Sequence, residues 1–183
     1  VKPLVLGVDP GFAALGLAVV ELGQTGELVR HLEVVTTEPS AKKREVRASD
    51  DNLRRAIEIA DALERVIDAW PGVVAIAAEA QSWPRNAGAA AKVAMAWGVL
   101  AAAAWRHGLP VLQASPQEAK KKLCGRKDAS KEDVQVALEV RYEDLPPWPS
   151  RKGLVEHAAD ALASAVACLD SSVVMMARRM AAC

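Results

Sequence analysis

The chain has 183 residues, which suits one domain with a sizeable core. With 51% hydrophobic and 25% charged residues, it is built to fold and not to stay disordered. Its 23 basic and 23 acidic residues cancel, which excludes a global charge as the source of nucleic-acid affinity; local patches must supply it.

Residues 4–8 are an apolar run closed by Asp9-Pro10-Gly11, a buried strand followed by a turn. Residues 15–22 and 28–36, with the loop 23–26 between them, give two more strands, and the three form an antiparallel meander. Residues 38–49 are polar and charged and form a connection, with Ser49 or Asp50 as cap of the next helix. In that helix Leu53, Ile57, Ala60, Leu63, Ile67 and Trp70 recur at helical spacing as one apolar face, and Pro71-Gly72 ends it. Residues 73–78 are uninterrupted apolar sequence, suited to a central strand covered on both faces.

After the loop 81–86, an Ala-rich stretch interrupted by Lys92 predicts a long buried helix ending near His107-Gly108, and no membrane span. Residues 109–113 give a fifth strand. Ser115 caps the next helix, with Pro116 at its first position. Residues 125–128 are a basic loop, and Ser130 caps a helix running to Tyr142, with Asp133 in the capping-box position. Residues 145–153 are irregular. A last helix covers 154–169, and the Met- and Arg-rich tail extends it or frays. The order predicts an α/β protein: a five-stranded mixed sheet flanked by helices, in a single domain over 1–183.

Three acids fall where acids are costly. Asp9 closes a buried strand, Glu79 follows the apolar run, and Asp160 sits among Ala158, Ala159, Ala161, Leu162 and Ala163. Converging carboxylates repel one another, and a divalent cation resolves both problems because hard cations prefer carboxylate oxygens. His157, three residues before Asp160, shares its helix face and can ligate a metal or act on an attacking water. Carboxylates so arranged serve phosphodiester hydrolysis by two ions roughly 3.5–4 Å apart, with Asp9 as the bridging acid. Taken singly, each residue reads better as a turn acid, a strand terminator or part of a surface pair; the four together, in this element order, point to catalysis.

These residues resemble a known family. Leu6-Gly7-Val8-Asp9-Pro10-Gly11 with Gly16 following, Ala78-Glu79, residues 86–100, Gly125, Ser130-Lys131 and His157-Ala158-Ala159-Asp160-Ala161-Leu162-Ala163 occur in the order seen in RuvC-type Holliday-junction resolvases. The resemblance implies a ribonuclease H-like fold. It implies an active site of Asp9, Glu79, His157 and Asp160 holding two Mg²⁺ or Mn²⁺ ions, with Lys131 at the scissile phosphate. It implies a homodimer that nicks opposed strands of a four-way junction and leaves 5′-phosphate ends, acting in recombination and repair, with a branch-migration helicase as a further partner. Lys122, Arg126, Lys127, Trp83, Arg85 and Asn86 are the candidates for DNA contact. Ser82 stands where the family often carries an aromatic, and Trp83 beside it is the candidate replacement. A broader nuclease of flaps and forks, phage-type included, and a binding module without catalysis remain as alternatives.

Met95, Val99 and Trp97 or Trp105 are candidates for a dimer interface or for the core. Cys124, Cys168 and Cys183 are odd in number and unpaired in spacing, which suits a reducing cytoplasm; the family resemblance implies that it is that of a bacterium, with the gene carried by the bacterium or its phage.

Overall fold

The computed structural model describes residues 2–24, 26–42, 45–81 and 85–181. Strands β1 (Leu4–Asp9), β2 (Ala14–Leu22) and β3 (Glu27–Thr36) form the expected antiparallel meander. Strands β4 (Val73–Glu79) and β5 (Val111–Ala114) continue the sheet in parallel from the other edge of β1, giving the order β3-β2-β1-β4-β5. Helix α1 (Ala48–Ala69) connects β3 to β4, and α2 (Ala87–Arg106) connects β4 to β5. Parallel neighbours cannot be joined by a hairpin, so α2 is a crossover helix that must return along the sheet. Helices α3 (Pro116–Cys124), α4 (Lys131–Arg141), α5 (Lys152–Ala167) and α6 (Ser172–Met180) complete the chain.

Strand alternation sorts side chains into two cores. Leu4, Leu6 and Val8 of β1 pack with Ile59, Leu63 and Val66 of α1 and with Leu100 of α2. Val5 of β1 and Ala75 and Ala77 of β4 pack instead with Ala161, Leu162 and Ala165 of α5. By the same two-residue period Asp9 and Glu79 point to the α5 face. Two glycines let α5 lie against the backbone: a Cβ on Gly7 would stand 2.2 Å from the Ala161 carbonyl oxygen, and one on Gly16 2.0 Å from that of His157.

Several expectations need correction. Helix α1 starts earlier than Ser49 or Asp50 allow: Arg47 is its N-cap and makes no side-chain cap bond. Its buried face is Arg55, Ala56, Ile59, Ala62, Leu63, Val66 and Ile67. Leu53 and Ile57 fall outside that arc and are 60% and 52% exposed. Helix α2 is not a buried helix, since only Ala96, Leu100, Ala103 and Ala104 are buried along it. It is long and apolar enough to cross a membrane, but its role as a crossover explains its place. Met95, Trp97 and Val99 pack partly buried against the core, while Trp105 is exposed. The tail neither extends α5 nor frays: Ser171 caps a separate α6, turned 76° from α5, whose Val174 is buried. The predicted caps form: Ser130 makes its capping box with Asp133, and Ser115, with Pro116 in the first turn of α3, makes one with Glu118 beyond the cap predicted.

Candidate active site at the carboxyl ends of the central strands

Parallel pairing of β1 and β4 sets Val8 opposite Ala78, so Asp9 and Glu79 end neighbouring strands on the same face. Antiparallel pairing sets Asp9 opposite Gly16, and the absence of a side chain there lets the His157 turn of α5 close over Asp9. His157 Nδ1 donates to Asp9 Oδ2 at 2.7 Å. Asp160, one turn along α5, completes the group. Lys131, the first residue of α4 after the Ser130 cap, brings its ammonium to 3.9 Å from Asp160 Oδ2 and 2.5 Å from Glu156 Oε2. The five residues proposed for catalysis therefore meet at one place, from β1, β4, α4 and α5.

The electrostatics are those of acids short of counter-charge. Burial, and then the charges of Asp9 and Asp160, push the Glu79 carboxyl up to about 7. Burial first, then Asp9, raises Asp160. The hydrogen bond to Asp9 raises His157, which favours its protonated form. Among the described residues, no three of Asp9, Glu79, His157 and Asp160 hold ligand atoms within 4.8 Å of one another. The donor set, three carboxylates and an imidazole, fits a hard divalent ion. Beside the acids lies a cavity of about 170 Å³, lined by Glu79, Asp160, Lys120, Lys131, Ser115 and Ser164.

A second acid–His group, Glu64, Asp68 and His107, is more compact but stands on α1 and at the end of α2, away from these residues. There Glu64 is already engaged by His107 at 2.8 Å and Arg106 at 3.7 Å.

The residues proposed for DNA contact are dispersed. Lys122 is turned to Asp170, beyond the far end of α5. Arg126 pairs with Asp133 at 2.5 Å and Asp128 at 3.4 Å, and Lys127 is exposed on the same loop. Asn86 caps α2 by accepting from the Ala89 amide at 3.1 Å, and Arg85 beside it is exposed. Ser82 and Trp83 lie outside the described residues. Glu156 as partner of Lys131 and Lys120 at the cavity carry no sequence signal, because both relations join helices distant in the chain.

The chain matches the family described as crossover junction endodeoxyribonuclease RuvC over residues 5–168. The chain belongs to the RuvC family. Its relatives include RuvC of Nocardia farcinica, 36% identical over 88% of this chain and 78% of the relative. RuvC of Thermus thermophilus is 34% identical over 89% and 91% of the two chains. Among solved structures, T. thermophilus RuvC in complex with Holliday junction substrate superposes with a TM-score of 0.75 at 31% identity, covering 96% of this chain and 97% of that one. The yeast mitochondrial Holliday junction resolvase Ydc2 aligns with a TM-score of 0.61 at 13% identity, a likeness of fold alone, over 98% of this chain and 85% of that one. The architecture is ribonuclease H-like, as the family resemblance implied.

Proposed function

We propose that this protein is a divalent-metal-dependent endodeoxyribonuclease that resolves Holliday junctions by paired nicking. The observation that carries this reading is the convergence of Asp9, Glu79 and Asp160 on one face of a chain that belongs to the RuvC family. Asp9, Glu79 and Asp160, with His157 as a fourth donor, would hold Mg²⁺ or Mn²⁺, two ions per site. When bound, such ions polarise the phosphodiester and lower the pKa of water. The chain's own groups do the rest. Asp9 sits at the centre, between Glu79 and His157. His157, held by Asp9, is within reach of the site to exchange a proton with water. Lys131 stands at the cavity edge, where it can leave Glu156 for a phosphate oxygen. The products would carry 5′-phosphate ends.

Nicking two opposed strands requires two sites, and α2 supports a homodimer. Ala87, Ala91, Ala94, Gly98 and Ala101 form an exposed stripe of small residues along it, on which two helices can approach closely, with the exposed Trp105 at its end. The junction itself is the product of strand exchange, and a helicase that moves it along DNA is the class of partner that would present it.

The test is cleavage in Mg²⁺ of an immobile four-way junction, a Y-fork, linear duplex and single strand, run beside Asp9→Asn. Symmetric nicking mainly of the junction is expected. Asp9→Asn should lose on the order of 10³-fold in rate, the equivalent of several kcal/mol of charge stabilisation, and keep junction binding. Equal cutting of forks and junctions would instead make it a broader branched-DNA nuclease, and full activity in Asp9→Asn would overturn the site.

A further inference from the structure

Helix α5 presents two carboxylates to one ammonium. Glu156 and Asp160 are four residues apart, so they share a helix face, one turn from each other. Lys131 Nζ, reaching over from α4, lies 2.5 Å from Glu156 Oε2 and 3.9 Å from Asp160 Oδ2. The two acids differ in setting. The Glu156 side chain is 53% exposed and that of Asp160 29%. Asp160 also feels the charge of Asp9, and Glu79 feels both. Attraction between charges strengthens as water is excluded, so the inner acids draw an ammonium more strongly at equal distance.

The lysine has room on both sides. Lys131 and Asp160 line two cavities at once. The inner one, about 170 Å³, is also lined by Glu79, Lys120 and Ser164; the outer one, about 590 Å³, by Glu156, Gln135 and Lys152. Glu132 lines the outer cavity too, but consecutive residues of a helix face apart, so it is no substitute for Glu156 as partner of Lys131. If Glu156 were removed, the acid next in reach of the ammonium would be Asp160. An ammonium resting there neutralises the carboxylate that a divalent ion needs, and the ion has to displace it.

We propose that Glu156 is a positioning residue, which holds the Lys131 ammonium outward and so keeps Asp160 open for a divalent ion. The same hold leaves the ammonium at the cavity edge, ready for a phosphate oxygen. The inference rests on the reading of this site as that of a metal-dependent nuclease. An exposed ion pair shifts an equilibrium only a few-fold, which suits a hold that substrate must break.

The experiment is calorimetric titration of Mn²⁺, without DNA, into wild type, Glu156→Ala, Lys131→Ala and the double variant. Both side chains are more than half exposed, and alanine favours the helix at either position, so the variants should fold. Glu156→Ala should bind Mn²⁺ about 3- to 5-fold more weakly than wild type, the scale of a surface ion pair. Lys131→Ala should bind no more weakly than wild type. The double variant should bind within about 2-fold of Lys131→Ala, because Glu156 then has no ammonium to hold. Glu156→Gln, which keeps the stem and loses the charge, should move in the direction of Glu156→Ala. Simple loss of a negative charge near the ion would weaken Mn²⁺ equally with and without Lys131, and that result would overturn the role, as would unchanged affinity in Glu156→Ala. Cleavage of a four-way junction by the same proteins reads the nuclease activity separately. A wild type that binds Mn²⁺ and cuts nothing would sink the activity while the cycle still decides Glu156; cutting with an additive cycle would sink the role of Glu156 alone.

Discussion

A carboxylate at the end of a buried strand must find positive charge, and Asp9 finds it first in His157, 2.7 Å away. Glu79 finds none so close, and burial with the charges of Asp9 and Asp160 pushes its carboxyl up to about 7. Lys131 is the ammonium of the group. Its ammonium is held 2.5 Å from Glu156 and 3.9 Å from Asp160, so a small rotation carries it between the exposed pair and the acids. Glu156 is exposed, and its bond to Lys131 is the kind worth little in water. A phosphate can therefore displace it. Lys131→Ala is expected to slow single-turnover cleavage about 10²-fold, the scale of losing one donor to a developing charge, with divalent-ion binding kept. Calorimetric titration of Mn²⁺ beside single-turnover rates checks this. Loss of ion binding along with rate would make Lys131 part of the metal site.

At the scale of elements, the site exists because α5 can touch the backbone of β1 and β2. Gly16→Ala would force a methyl to 2.0 Å from the His157 carbonyl oxygen, and that atom cannot move without moving the helix. The variant is expected to lose about 1–3 kcal/mol by urea denaturation and to lose metal-dependent cleavage as well, because His157 and Asp160 ride on the displaced helix. Gly7→Ala, against the Ala161 carbonyl oxygen at 2.2 Å, should cost similar stability but shift His157 less. Wild-type stability in either variant would mean that α5 slides freely. These contacts also mark what the sequence could and could not show. The strands were legible because their apolar runs are bounded by Pro and Gly, and the caps Ser115 and Ser130 because their chemistry is local. The acids were legible because each interrupts apolar sequence. The buried arc of α1 was not, since Leu53 and Ile57 keep helical spacing yet lie off the sheet, and only packing decides which arc is covered. The exposure of α2 and the Lys131–Glu156 pair also depend on contacts between distant segments.

For the whole molecule, the acids link stability to pH and metal. Glu79 has an ordinary value of 4.5 unfolded and about 7 folded, so between these the native chain holds more protons than the unfolded one. Stability therefore falls as pH rises through that window: Glu79's share is fully present below 4.5 and gone above about 7. The raised Asp160 and the raised His157 act with the same sign. Glu21 acts oppositely; held at about 2 by Arg30 and Lys2, it stabilises above 4.5 and loses that contribution as pH falls through about 2, outside the window. In EDTA the Tm is thus expected to carry a component that declines from pH 5 to pH 8, worth on the order of 2–3 kcal/mol at most for Glu79. Glu79→Gln should remove the Glu79 part of that slope, leaving the parts of Asp160 and His157, and be the more stable protein at pH 8. A divalent ion competes with the same proton, so the stabilisation given by a fixed Mg²⁺ concentration should grow over the same range and shrink in Glu79→Gln. Thermal melts of both proteins across pH, with EDTA and with Mg²⁺, give the four curves needed. A Mg²⁺ effect independent of pH, or unchanged by Glu79→Gln, would place the ion away from Glu79.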